Sequence, residues 1–561
     1  MSASQSFLSS PDYGYDYVVA VTQDSINATA MAFLNSKRPV INVCYIYDDK
    51  GDPELVDFEI LKKNAHGVDP FTIPESGPER ETQLKHLDEA GFMFGFSAAM
   101  GLPDGFDPAS LDDIVTFGAT AEAPLTYRLL CKHFQLVELK QIPHKAPVFQ
   151  TYAQPKGAPG KPWIFTYKLR LKSTNVKDNR AFMRSPAFAN LPAAVREKIT
   201  AKPEDFTISH LLYEFNEAAS ESQPLISGVD RILKEKLNED FAIRYFNQME
   251  GAGAPVVTVA PVRDDPFAGL VTGFSINPSP EAPKLATLNY VCSAAGHPLP
   301  APKTFAWNWV EPAQAGQFDG VCVINRKDFV EHLRQQLQPY FERNCWLPDP
   351  ILIEVYLASY LERFGIVPAA HDWKGKVPPE LKVRNEFTAP ATGPVVLIWN
   401  FDASREYDYL SGTSWMLGDC SFSLQVSVEG NSVTIKQHAV VYCKLVMVTF
   451  DRHDWNLVDL AITDTYTLAT EHDGKLSVNH TATTTDNSSK IGSDFAAPRL
   501  KGQFENAQNL AKAAVLSQLV NFPLGQMNEV IFPGNKAFLF KEIAFSEHQD
   551  LVAHITYANP A

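Results

Sequence analysis

Apolar and polar positions alternate most clearly in the C-terminal half. Phe422, Leu424, Val426 and Val428 alternate with Ser421, Ser423, Gln425 and Ser427, the period of a half-buried antiparallel strand. Similar runs predict strands at Val395–Phe401, Val433–Gln437, Val440–Phe450, Thr465–Ala469 and Leu476–Thr483. Glu429-Gly430-Asn431 and Asp473-Gly474 supply hairpin turns. Upstream, Phe329, Leu333, Leu337 and Tyr340 recur at helical spacing, which predicts a helix capped by Asp328 and reaching Asn344. A second apolar helix is expected over Ile351–Phe364. A late helix is expected from Phe504 to Phe522. Its Leu510, Ala511, Ala513, Ala514, Val515, Leu516, Leu519 and Val520 cover most of the circumference. A helix apolar nearly all round has to be enclosed, and a strongly curved antiparallel sheet would enclose it. In the N-terminal half, Leu225, Val229, Ile232, Leu233 and Leu237 predict the matching helix, started by Pro224.

The pattern also repeats. Tyr15-Asp-Tyr-Val-Val-Ala-Val-Thr22 resembles Phe318-Asp-Gly-Val-Cys-Val-Ile-Asn325, and each leads straight into a helical pattern. The same offset sets Asp16 on Asp319, Val18 on Val321, Ile26 on Phe329 and Leu34 on Leu337. The ends echo too: Leu270-Val-Thr-Gly-Phe-Ser-Ile-Asn-Pro278 resembles Leu551-Val-Ala-His-Ile-Thr-Tyr-Ala-Asn-Pro560. Each follows a helical stretch ending in Gln-Met, at Gln248-Met249 and Gln526-Met527. The expected organisation is therefore an N-terminal module over 1–278, a Pro-rich bridge over 279–317 and a C-terminal module over 318–561. Phe71–Gly105 and Lys156–Glu221 read as insertions in the first module. The bridge is expected to be structured, with strands at Leu285–Cys292 and Phe305–Val310. The fold class expected is α+β: two tandem modules, each a long helix wrapped by a curved antiparallel sheet.

Composition narrows the function classes. The chain has 561 residues, 45% of them hydrophobic and 20% charged, enough apolar material for large cores. Its 49 Lys+Arg against 65 Asp+Glu leave a net charge of −16. Phosphate neutralisation dominates nucleic-acid affinity, so nucleic acid is not an expected partner. No run approaches the ~20 apolar residues of a spanning helix. The first ten residues lack the basic and apolar regions of a signal peptide. The expectation is a soluble chain, cytoplasmic or released without a classical signal.

Chemical motifs are sparse. The seven cysteines are scattered without a Cys-x-x-Cys and read as reduced, buried thiols. Gly157-Ala-Pro-Gly-Lys161 lacks the spacing of a phosphate loop, and Pro255 spoils Gly251-Ala-Gly-Ala-Pro255 as a dinucleotide fingerprint. Gly95-Phe-Ser97-Ala-Ala99 has alanine where a nucleophile elbow needs its second glycine. His453-Asp454 reads as a loop pair, and His548 and His554 as flanking the last strands. The 14 histidines form neither His-x-His nor His-Glu-x-x-His, so no zinc motif is read. No catalytic residue, metal ligand or cofactor is expected.

Tyr15-Asp-Tyr-Val-Val-Ala-Val, its echo Phe318-Asp-Gly-Val-Cys-Val-Ile, the bridge Leu288-Asn-Tyr-Val with Phe305-Ala-Trp-Asn-Trp-Val, and Phe532-Pro-Gly-Asn-Lys-Ala-Phe-Leu-Phe carry a resemblance. The plan resembles the tubular lipid-binding (TULIP) superfamily, and within it the forty-seven-kilodalton companion proteins of clostridial neurotoxin gene clusters. That resemblance implies an apolar seam able to hold a lipid or another long apolar molecule. Candidate lining residues are Phe329, Leu333, Leu337, Leu510, Leu516 and Val520. Two other expectations stand beside non-enzymatic lipid binding. One is a structural component of a toxin-associated or secreted assembly, with a protein partner. The other is an enzyme holding a hydrophobic substrate in the tube.

Overall fold

The computed structural model describes residues 2–36, 40–142, 146–169, 172–175, 183, 188, 193–201, 206–210, 219–222, 226, 228–251, 256–261, 271–293, 298–355, 358–371, 378, 380–409, 414–446, 452–471, 474, 476–491, 498–516 and 538–557. The fold is α+β, with antiparallel pairing dominant and few helices. The chain divides into two compact units. The early unit is chiefly Val19–Gly320. The late unit comprises Met1–Val18, Val321–Met527 and Leu539–Ile555.

The early unit takes up the chain at Val19, within β1 (Tyr17–Thr22), which passes directly into α1 (Gln23–Ser36). A five-stranded sheet follows: β2 (Val40–Tyr47), β3 (Pro53–Val56), β4 (Phe92–Met100), β6 (Cys131–Lys140) and β7 (Val148–Ala153), ordered β3-β2-β4-β6-β7. Helices α2 (Phe58–Asn64) and α3 (Pro78–Glu89) occupy the connection between β3 and β4. Between β4 and β6 lies β5 (Leu125–Leu129), which pairs with β8 (Phe165–Leu169). The long helix is α4 (Arg231–Gly251). It starts at Arg231 because Asp230 accepts the Ile232 N–H at 2.8 Å. Pro224, expected to start it, lies outside the described residues. Then come β9 (Val271–Asn277) and β10 (Thr287–Ser293), paired antiparallel with Phe274 opposite Tyr290.

β10 meets the expected strand at Leu285–Cys292, but Phe305–Val310 is not a strand. Its backbone is held by a side chain instead. Asn277 accepts the Phe305 N–H and donates to the Trp307 carbonyl, both at 2.8 Å. Phe305, Trp307 and Trp309 pack on one another with centroids 4.8–5.4 Å apart. The Phe305 and Trp309 rings, 4.8 Å apart, show the segment folded back on itself, because an extended strand sets residues four apart about 13 Å from each other.

The late unit repeats the strand-into-helix step: β11 (Gly320–Ile324) feeds α5 (Arg326–Arg343). Its cap is Asn325, not Asp328. The Asn325 side chain accepts the Asp328 N–H at 2.8 Å, leaving Asp328 inside the first turn. Phe329, Leu333, Leu337 and Tyr340 are all buried, as the spacing requires.

Ile351–Phe364 is not a helix. It belongs to a hairpin of β12 (Trp346–Val355) and β13 (Ala358–Pro368), with Ile353 opposite Tyr360. The run is rich in Ile, Val, Phe and Tyr, which favour strands, and a short apolar run has no period of its own to exclude either reading.

A six-stranded antiparallel sheet follows in sequential order: β14 (Leu381–Thr388), β15 (Val395–Tyr409), β16 (Ser414–Glu429), β17 (Ser432–Val446), β18 (Arg452–Thr470) and β19 (Leu476–Asp486). Gly430 turns β16 into β17 with φ 57°, as its turn sequence predicts. Val433–Gln437 and Val440–Phe450 contribute to one strand, because Ala439 keeps the inward phase between them. Residues 447–450 lie outside the described residues. His453-Asp454 sits in β18, not in a loop: His453 pairs with Leu445 and Asp454 with Lys444. Last come α6 (Pro498–Ala514), β20 (Phe538–Phe545) and β21 (Leu551–Tyr557). His554 therefore lies within the last strand.

Asp550 anchors the N-terminal residues of the late unit. Its carboxyl accepts from Ser6 Oγ and Leu8 N–H, both at 2.7 Å, and from Arg326 N–H at 3.0 Å. Burial pushes its pKa up, and those three donors pull it back.

Candidate functional site

The late unit's sheet presents one apolar face. Trp399, Phe401, Phe422, Leu424, Val433, Ile435, Val441, Leu460 and Ile462 are buried on it. Two positions in the same phase are polar: Gln437 on β17 and Asp464 on β18. Both are buried, Asp464 completely. They form a hydrogen-bonded knot with the ends of two helices. Tyr340, on α5, donates to Gln437 Oε1 at 2.5 Å and accepts the Leu516 N–H at 3.0 Å. Gln437 Nε2 donates to Asp464 Oδ2 at 2.9 Å and to the Leu516 carbonyl at 3.1 Å. His480 Nε2, on β19, bonds Asp464 Oδ1 at 2.8 Å. Burial pushes the Tyr340 hydroxyl up to about 12, so it stays a donor across the ordinary pH range.

The segment so pinned is the C-terminal continuation of α6. Among the described residues, α6 ends at Ala514 and is amphipathic, not apolar all round. Phe504, Ala507, Ala511 and Val515 are buried, whereas Leu510 and Leu516 are 44% and 46% exposed. The spacing i, i+3, i+7, i+11 selects a single stripe, and the leucines fall outside it. Phe504 is the large anchor, stacked on Phe364 at 5.1 Å and against Trp455 at 5.4 Å. Towards the C-terminus the buried side chains shrink to alanine and polar bonds take over. Gln508 donates to the Leu457 carbonyl at 2.6 Å, and Lys512 pairs with Asp486 at 2.6 Å.

Beneath Ala511 and Val515 lies a cavity of about 10 Å³, lined also by Asn344, Trp346, Cys420, Ala439 and Val441. That is room for about one water molecule. A more open groove of about 220 Å³ on the sheet's other face is polar, with Arg384, Asn400, Asp402, Ser421 and Ser423 at its edge. Drug-sized ligands occupy roughly 300–1,000 Å³. Neither of these two spaces, both lined by described residues, reaches that size.

The candidate lining residues thus separate. Phe329, Leu333 and Leu337 are buried on α5, Leu510 and Leu516 are half exposed at α6, and Val520 lies outside the described residues. The knot of Tyr340, Gln437, Asp464 and His480 was not singled out by motif, because no short motif joins four separate elements. A phase count would have found part of it: Gln437 and Asp464 occupy positions where their strands otherwise place apolar residues.

Elsewhere the chemistry is quiet. Ser97 lies in β4, not at an elbow, and donates to Asn42 at 2.7 Å. All seven cysteines are buried, and none is in a disulfide. Burial raises the Cys322 and Cys345 thiols to about 12 and pushes Cys44, Cys131, Cys420 and Cys443 higher still. These six are poor thiolate nucleophiles. Among the described residues, no helix is long and apolar enough to cross a membrane.

No protein-family model matches the chain, and no curated protein matches it. One solved structure with a detectable likeness is described as the crystal structure of lipopolysaccharide binding protein. The alignment covers 98% of this chain and 99% of that one, at 9% identity and a TM-score of 0.25. At that score the likeness carries no inference about fold or ligand.

Proposed function

We propose that the chain binds a lipid or another long apolar ligand, without catalysis, in the seam between α6 and the six-stranded sheet of the late unit. One observation carries this reading. α6 is anchored by a large ring at Phe504, but its C-terminal half rests on the sheet through Ala507, Ala511 and Val515 and through polar bonds. Lifting that half about Phe504 exposes the apolar face of a broad sheet while breaking few large-side-chain contacts. In this reading Phe329, Leu333 and Leu337 form the fixed apolar wall. Ala511 and Val515 form the movable side, and Leu510, Leu516 and Val520 stay in the proposal as ligand contacts made when α6 turns as it lifts. The tandem arrangement, with TULIP-like modules over 1–278 and 318–561 joined by 279–317, belongs to the same proposal, as does the likeness to the toxin-cluster companion proteins.

The purified chain is expected to release an apolar molecule on organic extraction, visible as an added mass by native mass spectrometry. It is also expected to take up a fluorescent fatty acid. Ala511→Phe, which crowds the seam, lowers that uptake severalfold. Absence of both the co-purified molecule and probe uptake would overturn the reading.

A second reading, a component of a protein assembly, is favoured by the open edge of the same sheet. Among the described residues β14 is an edge strand, and its Val383 and Phe387 are 51% and 42% exposed. Unpaired edges with apolar side chains invite a partner strand. Pull-down with β14 intact, and its loss in Val383→Lys, separates this reading from ligand binding.

A further inference from the structure

The early unit carries a cluster unrelated to the seam. α2 ends with the Ala65 N–H bonded to the Leu61 carbonyl at 2.8 Å and the Gly67 N–H to the Lys62 carbonyl at 2.7 Å. Between them His66 adopts φ 56°, a left-handed conformation usually left to glycine at a helix C-terminus. The turn sets the His66 ring 4.6 Å from that of His86 on α3. Glu89 follows His86 by three residues, hence on the same helix face. One ligand atom from each of His66, His86 and Glu89 falls within 4.8 Å of the others.

We propose that His66, His86 and Glu89 form a binding site for a divalent transition-metal ion, with zinc the best match. Two imidazole nitrogens and a carboxylate oxygen are a donor set that zinc accepts, at bonds of about 2.0–2.1 Å. Tetrahedral coordination at that length sets donors about 3.3 Å apart. His66 and Glu89 are exposed and His86 partly exposed, so rotamer changes can supply the closure. The backbones are already fixed. His66 follows Ala65 and His86 precedes Leu87, both fully buried in a core with Leu61, Cys44, Phe92 and Val137. An ion here clips the end of α2 to the end of α3 over that core. Three protein donors leave a fourth position for water or an external ligand.

The competing charge is Lys85, which approaches Glu89 at 3.6 Å in an exposed pair. Such pairs are worth little, so a bound cation displaces the ammonium. No motif search finds this site, because the two histidines come from different helical segments and their spacing matches no common pattern.

The test is titration of the full chain, freed of metal with a chelator, with zinc by calorimetry and with cobalt by visible absorption. One tight equivalent is expected. His66→Ala and His86→Gln are each expected to weaken it by about tenfold or more, at least the cost of losing an outer partner of a metal ligand. Glu89→Gln has a smaller effect, and the surface control His438→Ala has none. Circular dichroism of each metal-free variant checks the fold, and either histidine variant alone suffices if the other fails to fold. Equal zinc affinity in parent and folded variant, or no tight equivalent in the parent, overturns the site.

Discussion

Helices α4 and α6 each lie in a unit built largely of antiparallel sheet, yet they are held in opposite ways. α4 is fixed by large rings. Phe241 meets Phe165 at 4.6 Å, Phe134 at 4.9 Å and Phe96 at 6.0 Å. Tyr245 is fully buried and donates to the Leu130 carbonyl at 2.9 Å. α6 has one such ring, Phe504, and then alanines, a one-water cavity and hydrogen bonds. Ring-on-ring packing is lost steeply with small displacements, because dispersion falls off within an ångström. Alanine contacts bury much less apolar area than a ring does, so less is lost when they part. Under the proposed ligand-binding reading, the difference sets where the molecule opens: along α6, not along α4.

Substitutions test that contrast, and the largest effect belongs to the aromatic side. Phe241→Ala removes the ring shared by three neighbours and should cost about 3–5 kcal/mol, read as a fall in urea midpoint. A loss under about 1 kcal/mol would erase the distinction drawn for α4. Next is the polar knot. Gln437→Leu leaves Tyr340, Asp464 and the Leu516 backbone each short of a partner. A cost of about 1–3 kcal/mol is expected, with amide exchange accelerated at 511–516 more than in α4. Uniform acceleration would show that the knot holds the whole unit and not the helix end.

A pH effect follows from α5. Burial, then the neighbouring Asp16 carboxyl, raises Asp328 from 3.8 to about 7. The folded state thus holds a proton that the unfolded chain releases between those values. Stability contributed by this group is therefore full below pH ~4, falls as pH rises towards 7, and is lost above it. Asp328→Asn should gain about 1–2 kcal/mol at pH 8, allowing for partial exposure, and nothing at pH 4. Equal stability of the two proteins across that range would refute the assignment.

The smallest effect is expected at Lys512. Its bond to Asp486 lowers that carboxyl to about 2. A lowered carboxyl stabilises above its unfolded pKa and loses that contribution as pH falls towards 2. The pair is largely exposed, so Lys512→Met should cost no more than about 1 kcal/mol near pH 7. A larger loss would make this bond, rather than the knot, the main fastening of α6.

Much of the late unit was legible along the chain. Alternation located β15 to β19, and the 3.6-residue stripe located α5, because those patterns follow from backbone geometry alone. Reading failed where local signals are degenerate. Ile351–Phe364 is apolar without a period, so its partner across the β12–β13 hairpin decided between strand and helix. Phe305–Val310 has strand-like rings, but Asn277 bonded its backbone into bends. Over its described residues α6 is not apolar all round: alanine counts as apolar in a list, yet it exposes little and buries little. Among its described apolar residues, Phe504, Ala507, Ala511 and Val515 are the buried ones, whereas Leu510 and Leu516 are half exposed.

The sequence by itself determined the α+β class, the strand-into-helix step at Tyr17–Ser36 and Gly320–Arg343, and the apolar face of the long sheet. Each depends on residues a few positions apart, where covalent geometry sets which side chains share a face. The tertiary structure alone decided which apolar residues are enclosed. It joined Tyr340, Gln437, Asp464 and His480 into one network, and it set His66 beside His86 and Glu89. Those contacts link residues 16 to 97 positions apart, and no local period encodes them. Burial and hydrogen bonding select such contacts only once the elements have met.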